Sequence, residues 1–165
     1  MENLPAVQST HACDGGTVLR WPGLEPRVYS GLHYHLDIAA TVVDLADLPV
    51  PRGWWSGESI KDALVGGTEA GREALMLSQG AWACQRGVRW GDHLYLRTMH
   101  DGYHPHWNAE MLFDISTDPH ETDDMAADEP GLLDEAANLL DDWTQQQLSL
   151  ALGDQRDPMD IVLEE

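Results

Sequence analysis

Lysine is almost missing from this 165-residue chain: Lys61 stands alone among nine basic residues, against 29 aspartates and glutamates, for a formal net charge of −20. A surface with so few cations repels phosphate backbones, which excludes nucleic acid as a partner. Cysteine is as scarce. Cys13 and Cys84 are too few for a disulfide scaffold, and neither stands in a C-x-x-C or other ligand spacing, so they read as two reduced thiols. There is no long apolar run. The most apolar stretch, His33 to Leu48, is broken by Asp37, Asp44 and Asp47, which excludes a membrane span there. The opening residues, MENLPAVQSTHAC, lack a basic region followed by an apolar one; they do not read as a secretory signal, and the expected compartment is the cytoplasm.

Against these absences stand a hydrophobic content of 42% and seven tryptophans, which exclude general disorder and suit one domain with a real core. Acidity combined with near-zero lysine reads as adaptation to high salt, where screening removes the mutual repulsion of the carboxylates; the plainer alternative is a merely acidic protein.

The segment 1–17 carries no periodicity and holds Pro5, Gly15 and Gly16, so it is expected to be loose. Val18-Leu19-Arg20-Trp21 predicts a short strand stopped by the turn residues Pro22-Gly23. From Leu32 the spacing becomes helical, for a helix expected to run to Leu48. Leu32, Leu36, Ala39, Val43 and Ala46 fall on one face, and Asp37, Thr41 and Asp44 on the opposite one; Pro49 and Pro51 are expected to stop it. Ser59 is expected to cap a short helix through Leu64, which Gly66-Gly67 end. Four strands are then expected, Ala74 to Trp82, Gln85 to Trp90, His93 to Thr98 and Met111 to Ile115, with Gly91-Asp92 as a tight hairpin. A last helix should run from Pro130 to Leu150, capped by Asp128, with Leu132 or Leu133, Ala136, Leu140, Trp143 and Gln147 on its inner stripe. The tail from residue 153 to 165 is acidic. This order predicts an α+β fold, a four-stranded antiparallel sheet with the C-terminal helix packed on one face.

Several of these stretches resemble motifs of the sulfatase family. Arg20-Trp21-Pro22-Gly23 is similar to its "RWPG" strand end. Residues 35–46, HLDIAATVVDLA, resemble its D-x-x-P-T-x-x-D-L-A helix, with Ala40 in place of proline. Gly57-Glu58-Ser59-Ile60 matches its DG-x-S-L loop in the Gly and Ser. Residues 85–92, QRGVRWGD, are similar to its R-x-V-R-x-G-D-Y-K hairpin. Residues 111–121, MLFDISTDPHE, resemble E-L-Y-D-L-x-x-D-P-x-E most fully, followed by Asp124-Met125-Ala126 where the family has N-L-A. The resemblance covers Val18 to about Gln147. It implies an alkaline-phosphatase-like protein of which this chain supplies the end of the large α/β domain (18–66, strand plus helix) and the small sheet-and-helix subdomain (67–152).

The resemblance also implies what this chain should not do. The family's nucleophile lies in C/S-x-P-S-R, its cysteine converted to formylglycine, and the family holds a divalent cation, usually calcium. Here Cys13 is followed by Asp14-Gly15-Gly16 and Cys84 by Gln85-Arg86-Gly87, so neither fits, and the metal aspartates have no counterpart. No catalytic residue, metal ligand or cofactor is assigned to the chain. The expectation is a truncated sulfuric ester hydrolase, inactive alone. The alternatives are an interaction module that completes a separately encoded catalytic half, or a small metal-binding protein.

The last alternative rests on His100, Asp101, His104 and His106, whose imidazoles and carboxylate suit zinc, although Gly102 and Pro105 favour a plain polar loop. By resemblance, Arg97, His100 and His104 would lie near substrate in an intact relative. His33 and His35 point to different helix faces and read as structural. Asp118 and Glu121 read as a turn rather than a carboxylate pair. Trp54, Trp55, Trp82, Trp90 and Trp107 read as core or interface rather than as a sugar-stacking surface. The partners expected are a catalytic half, or a second copy through the Leu36, Ala39, Val43 and Ala46 face.

Overall fold

The structure, a computed structural model, describes residues 16–49, 56–67, 71–80, 83–100, 102, 106–150 and 156–157. It contains helix α1 (His35–Leu45), helix α2 (Lys61–Gly66), strands β1 (Ala74–Gln79), β2 (Cys84–Trp90), β3 (His93–His100) and β4 (Glu110–Asp114), and helix α3 (Pro130–Leu150). The chain divides into two compact units, one formed by Gly16–Leu75 and one whose described residues lie from Met76 onward.

In the first unit the expected strand at Val18–Trp21 is not formed. A strand needs a neighbour to take its backbone hydrogen bonds; among the described residues none pairs with this segment, and Val18 is 96% exposed. The turn after it is present, with Leu24 N–H donating to the Trp21 carbonyl at 3.2 Å and Gly23 at φ +87°.

Helix α1 is shorter than its periodicity suggests. It stops at Leu45 because Asp47 adopts a left-handed φ of +54°, and Leu48 N–H closes on the Val43 carbonyl at 3.1 Å while Asp47 N–H reaches that of Asp44 at 3.0 Å. This pairing of the last two turns is a Schellman stop, here with Asp in the position glycine usually takes. Pro49 therefore follows a helix that has already ended. Helix α2 begins at Lys61 with Ile60, not Ser59, in the cap position, and ends, as expected, on glycine: Gly67 has φ +77°.

The second unit is the expected four-stranded antiparallel sheet, in the order β1-β2-β3-β4. The two-residue connection Gly91-Asp92 sets Trp90 opposite His93, and Gly91 supplies the positive φ (+47°) such a hairpin demands. Register then fixes both faces. Leu94, Leu96, Met111 and Phe113 share one face and form a buried cluster with Leu77, Trp107 and Ile115 against it. Val88, Tyr95 and Leu112 share the other, where Ala136 and Leu140 of α3 are equally buried. Cross-strand neighbours of this kind are what hold a sheet.

The outer edge at β4 is covered by the chain that follows. Asp124 accepts from Leu112 N–H at 3.0 Å, and Met125 N–H donates to the Leu112 carbonyl at 2.8 Å, so this edge does not stand open to another strand at Leu112.

Several details differ from the sequence reading: β2 begins at Cys84 rather than Gln85, β3 runs to His100 rather than Thr98, and β4 spans Glu110–Asp114 rather than Met111–Ile115. Strand β1 ends at Gln79, and Trp82 lies outside the described residues. Helix α3 starts at Pro130 with Glu129 immediately before it, so Asp128 is not its cap. Its inner stripe runs through Ala136, Leu140, Thr144 and Leu148; Gln147 is exposed, one residue off the face.

Candidate functional site

Two polar constellations stand out, one in each unit. In the first, the face of α1 that carries Asp37, Thr41 and Asp44 is buried by hydrogen bonding to the 56–61 loop. Asp37, 1% exposed, accepts from Tyr34 N–H at 2.7 Å, from Glu58 N–H at 2.7 Å, and from Arg72 through Nε at 2.9 Å and Nη2 at 2.6 Å. Thr41 Oγ1 accepts from Ile60 N–H at 3.0 Å and donates to the Asp37 carbonyl at 2.6 Å. Asp44 accepts from the Ser59 hydroxyl at 2.6 Å, and Lys61 bridges Asp44 and Asp47. Burial alone would push the Asp37 carboxyl up; the Arg72 guanidinium and the two backbone donors outweigh it and hold the group below its ordinary range. A carboxylate with every approach taken is a clasp, not a catalyst.

In the second unit, the sheet face beneath α3 carries Arg86 on β2 and Arg97 on β3. Arg97 donates from Nη1 to Asp141 of α3 at 2.5 Å and from Nε to the Tyr95 hydroxyl at 2.9 Å, and that hydroxyl in turn donates to Glu110. Burial and the Glu110 carboxylate together push the Tyr95 phenol well above its ordinary range, so it stays protonated. Arg86 donates from Nη2 to Asp157 at 2.6 Å. Arg86, Arg97, Leu140, Thr144 and Asp157 are among the residues that line a cavity of about 380 Å³.

Of the residues expected near substrate, Arg97 and His100 are described, both on β3. Arg97 points under α3. His100 lies three positions further along β3, past a register irregularity that sets it opposite Cys84, where it is exposed and its Nδ1 accepts from Gly102 N–H at 2.9 Å. His104, like Asp101, lies outside the described residues. Among the described residues, no three His, Cys, Asp or Glu side chains are grouped to hold a cation.

The remaining motifs are structural. Asp118 accepts from Thr122 N–H at 2.6 Å and Asp123 N–H at 2.9 Å, and the buried Glu121 follows Pro119-His120 at φ +52°. Burial raises the Asp118 carboxyl and these backbone donors, with the Thr122 hydroxyl, lower it further than burial lifts it. His33 Nδ1 donates to the Gly31 carbonyl at 3.0 Å. What the sequence reading missed was the clasp: Asp37, Thr41 and Asp44 recur at helical spacing and face a Gly-Glu-Ser loop rather than solvent.

No protein-family model and no curated protein matches the chain. Solved structures do. A Bacteroides thetaiotaomicron sulfatase from a locus for the metabolism of multiple glycosaminoglycans matches at 19% identity and TM-score 0.50, over 64% of this chain and 24% of its own. BT4656, solved with its substrate D-glucosamine-2-N,6-O-disulfate, matches at 21% and 0.54, over 67% and 23%. Ps i-CgsB matches at 18% and 0.58, over 74% and 27%. The fold is therefore sulfatase-like, and its sheet with the C-terminal helix corresponds to the C-terminal subdomain of those proteins. The chain spans about a quarter of the length of the structures it matches.

Proposed function

We propose that this chain serves as the C-terminal subdomain of a sulfuric ester hydrolase and has no hydrolytic activity alone. The observation that supports this is the shared fold over 64–74% of the chain against only 23–27% of sulfatase-like structures. Hydrolysis of a sulfate ester needs a nucleophile, a cation to polarise the ester oxygens and an acid for the leaving group. Neither cysteine of the chain stands in the nucleophile motif, and the buried carboxylate Asp37 is fully committed to the clasp.

Its partner, on this reading, is the catalytic α/β portion of such a hydrolase, and the docking surface is the outer face of α1. Leu36 is 55% exposed, Ala39 and Ala46 are exposed and Val43 half-buried, while the polar side of the helix is the one its own unit covers. A helix turned apolar side out marks a surface that another body covers. A cytoplasmic location completes this reading.

The adjoining DNA provides one test: it should encode C/S-x-P-S-R and the metal aspartates, in the same frame or a neighbouring one. An adjoining region without them removes the hydrolase reading. The assay provides the other. The purified chain should not turn over an aryl sulfate with or without calcium; turnover that follows the protein through purification overturns the claim of inactivity.

A further inference from the structure

The stretch from Gly16 to Leu36 holds one of the 29 acidic residues of the chain, Glu25, and two of its nine basic ones, Arg20 and Arg27. It also presents apolar side chains to solvent: Val18 is 96% exposed, Val28 87% and Leu36 55%. Two copies of a chain of net charge −20 repel each other over most of their surface. A stretch with two positive charges against one negative is where they can approach without that repulsion.

The charges in this stretch are not equivalent. Arg27 is engaged, donating from Nη1 to the Ala63 carbonyl at 2.7 Å. Arg20 is exposed, and it is the one lysine or arginine among the described residues that makes no hydrogen bond, ion pair or ring contact within the chain. Glu25 is exposed and equally uncommitted. The two stand on either side of the Pro22-Gly23 turn, which Leu24 N–H closes on the Trp21 carbonyl at 3.2 Å with Gly23 at φ +87°. Pro22 and Pro26 stiffen the backbone between and beyond them, and a stiff segment loses little freedom when it docks. Arginine and tryptophan, here adjacent as Arg20 and Trp21, are the side chains that most often anchor an interface. A two-fold contact sets one residue against a second and that second against the first, so a segment carrying one free cation and one free anion is complementary to itself. We infer that residues 18–28, together with the outer face of α1, form an isologous contact between two copies of this chain, in which Arg20 of each copy meets Glu25 of the other. This contact does not rest on the hydrolase reading, since the second copy supplies both charges and no catalytic portion is needed.

Sedimentation velocity of the full chain tests it, in KCl at one ionic strength at which circular dichroism shows the chain folded. A concentration-dependent dimer is expected, with no larger species. Arg20→Glu and Glu25→Arg should each weaken the dimer about tenfold or more, because each variant sets like charges together twice. The double variant, Arg20→Glu with Glu25→Arg, restores opposite signs and should return the dimer constant to within about threefold of wild type. Both positions are exposed and uncommitted, so the urea midpoint of all three variants should stay where it is. A wild-type chain that is monomeric at every concentration leaves the surface to another body and overturns the inference. Single reversals without effect, or a double variant as weak as the single ones, overturn the Arg20–Glu25 pairing. Open-ended growth beyond a dimer overturns the two-fold symmetry.

Discussion

Asp37 and Arg72, 35 positions apart, meet as a two-pronged pair in which each carboxylate oxygen also takes a backbone N–H, Glu58 on one and Tyr34 on the other. This one carboxylate therefore fixes the first turn of α1, the 56–61 loop and the residue that leads into β1. Replacing it with the isosteric amide keeps the shape but removes the buried charge that Arg72 grips, leaving that guanidinium the exposed Glu58 carboxylate and the Ser56 carbonyl. Asp37→Asn should destabilise the chain by about 3 kcal/mol, the range for breaking one partner of a buried pair. Urea unfolding in buffered KCl checks this; a loss within error of zero would show that the clasp is dispensable.

The same residue predicts a pH dependence. Its folded pKa lies below the ordinary value of 3.8, so the stability it contributes is present above that value and is lost as pH falls through the folded pKa. The difference in stability between wild type and Asp37→Asn should be constant from pH 7 to about 5 and shrink below about pH 4. Other carboxylates with lowered values, Asp44, Asp114 and Asp118, titrate in both proteins and cancel in the difference. A difference that grows on acidification would contradict the assignment.

Gly87 offers a test of the sheet. A Cβ at this position would sit 2.5 Å from the Tyr95 carbonyl oxygen and 2.8 Å from Leu96 Cδ2, and backbone cannot step aside as a side-chain tip can. Gly87→Ala should cost about 2 kcal/mol, within the range for overpacking. The urea midpoint should fall with no change in slope, since the compactness of either state is not at issue.

The second unit was more legible in the sequence than the first, for a physical reason. Strand pairs joined by Gly91-Asp92, and a helix that opens on Pro130 and keeps one apolar stripe, are specified by residues within a few positions of one another. The segment Val18–Trp21 reads as a strand by composition, but a strand is completed by a neighbour, and composition does not supply one. Helix α1 was found by its period and misjudged at its end, since the stop lies in the αL conformation of Asp47, which no apolar spacing announces. The clasp residues Asp37, Thr41 and Asp44 were visible as a polar stripe; that the stripe faces inward depends on the 56–61 loop, 15 to 21 positions away. Arg97 was singled out, whereas Arg86, its cross-strand partner, became a candidate only when register placed it opposite.

The outward apolar face of α1 predicts association. Purified alone, the chain should show concentration-dependent self-association in sedimentation velocity. Leu36→Asp should abolish it while leaving the thermal midpoint nearly unchanged, because exposed positions away from special features cost within about 0.5 kcal/mol. A chain that remains monomeric at every concentration, with Leu36→Asp equal to wild type in binding to a catalytic portion, would remove this face as the docking surface.

Salt should stabilise the fold over a wide range. With 29 acidic and nine basic residues, carboxylates on a small surface repel one another, and repulsion is stronger in the compact state than in the expanded one. The local ion pairs do not reverse this. Arg97–Asp141 and Lys61–Asp47 have well-exposed acidic partners, so screening removes little stabilisation there, while Arg72–Asp37 and Arg86–Asp157 are buried and are screened much less. The Debye length falls to roughly 3 Å by 1 M salt, and most of the repulsion should be gone by then. Potassium chloride is the salt to use, because sulfate salts strengthen burial by a separate route, exclusion from the surface. The thermal midpoint should rise continuously from about 0.1 M to about 1 M KCl. A flat or falling midpoint would leave a protein that is acidic without being adapted to salt. The result also governs the activity test: if the fold is complete only near molar KCl, inactivity towards an aryl sulfate counts as evidence only when measured there.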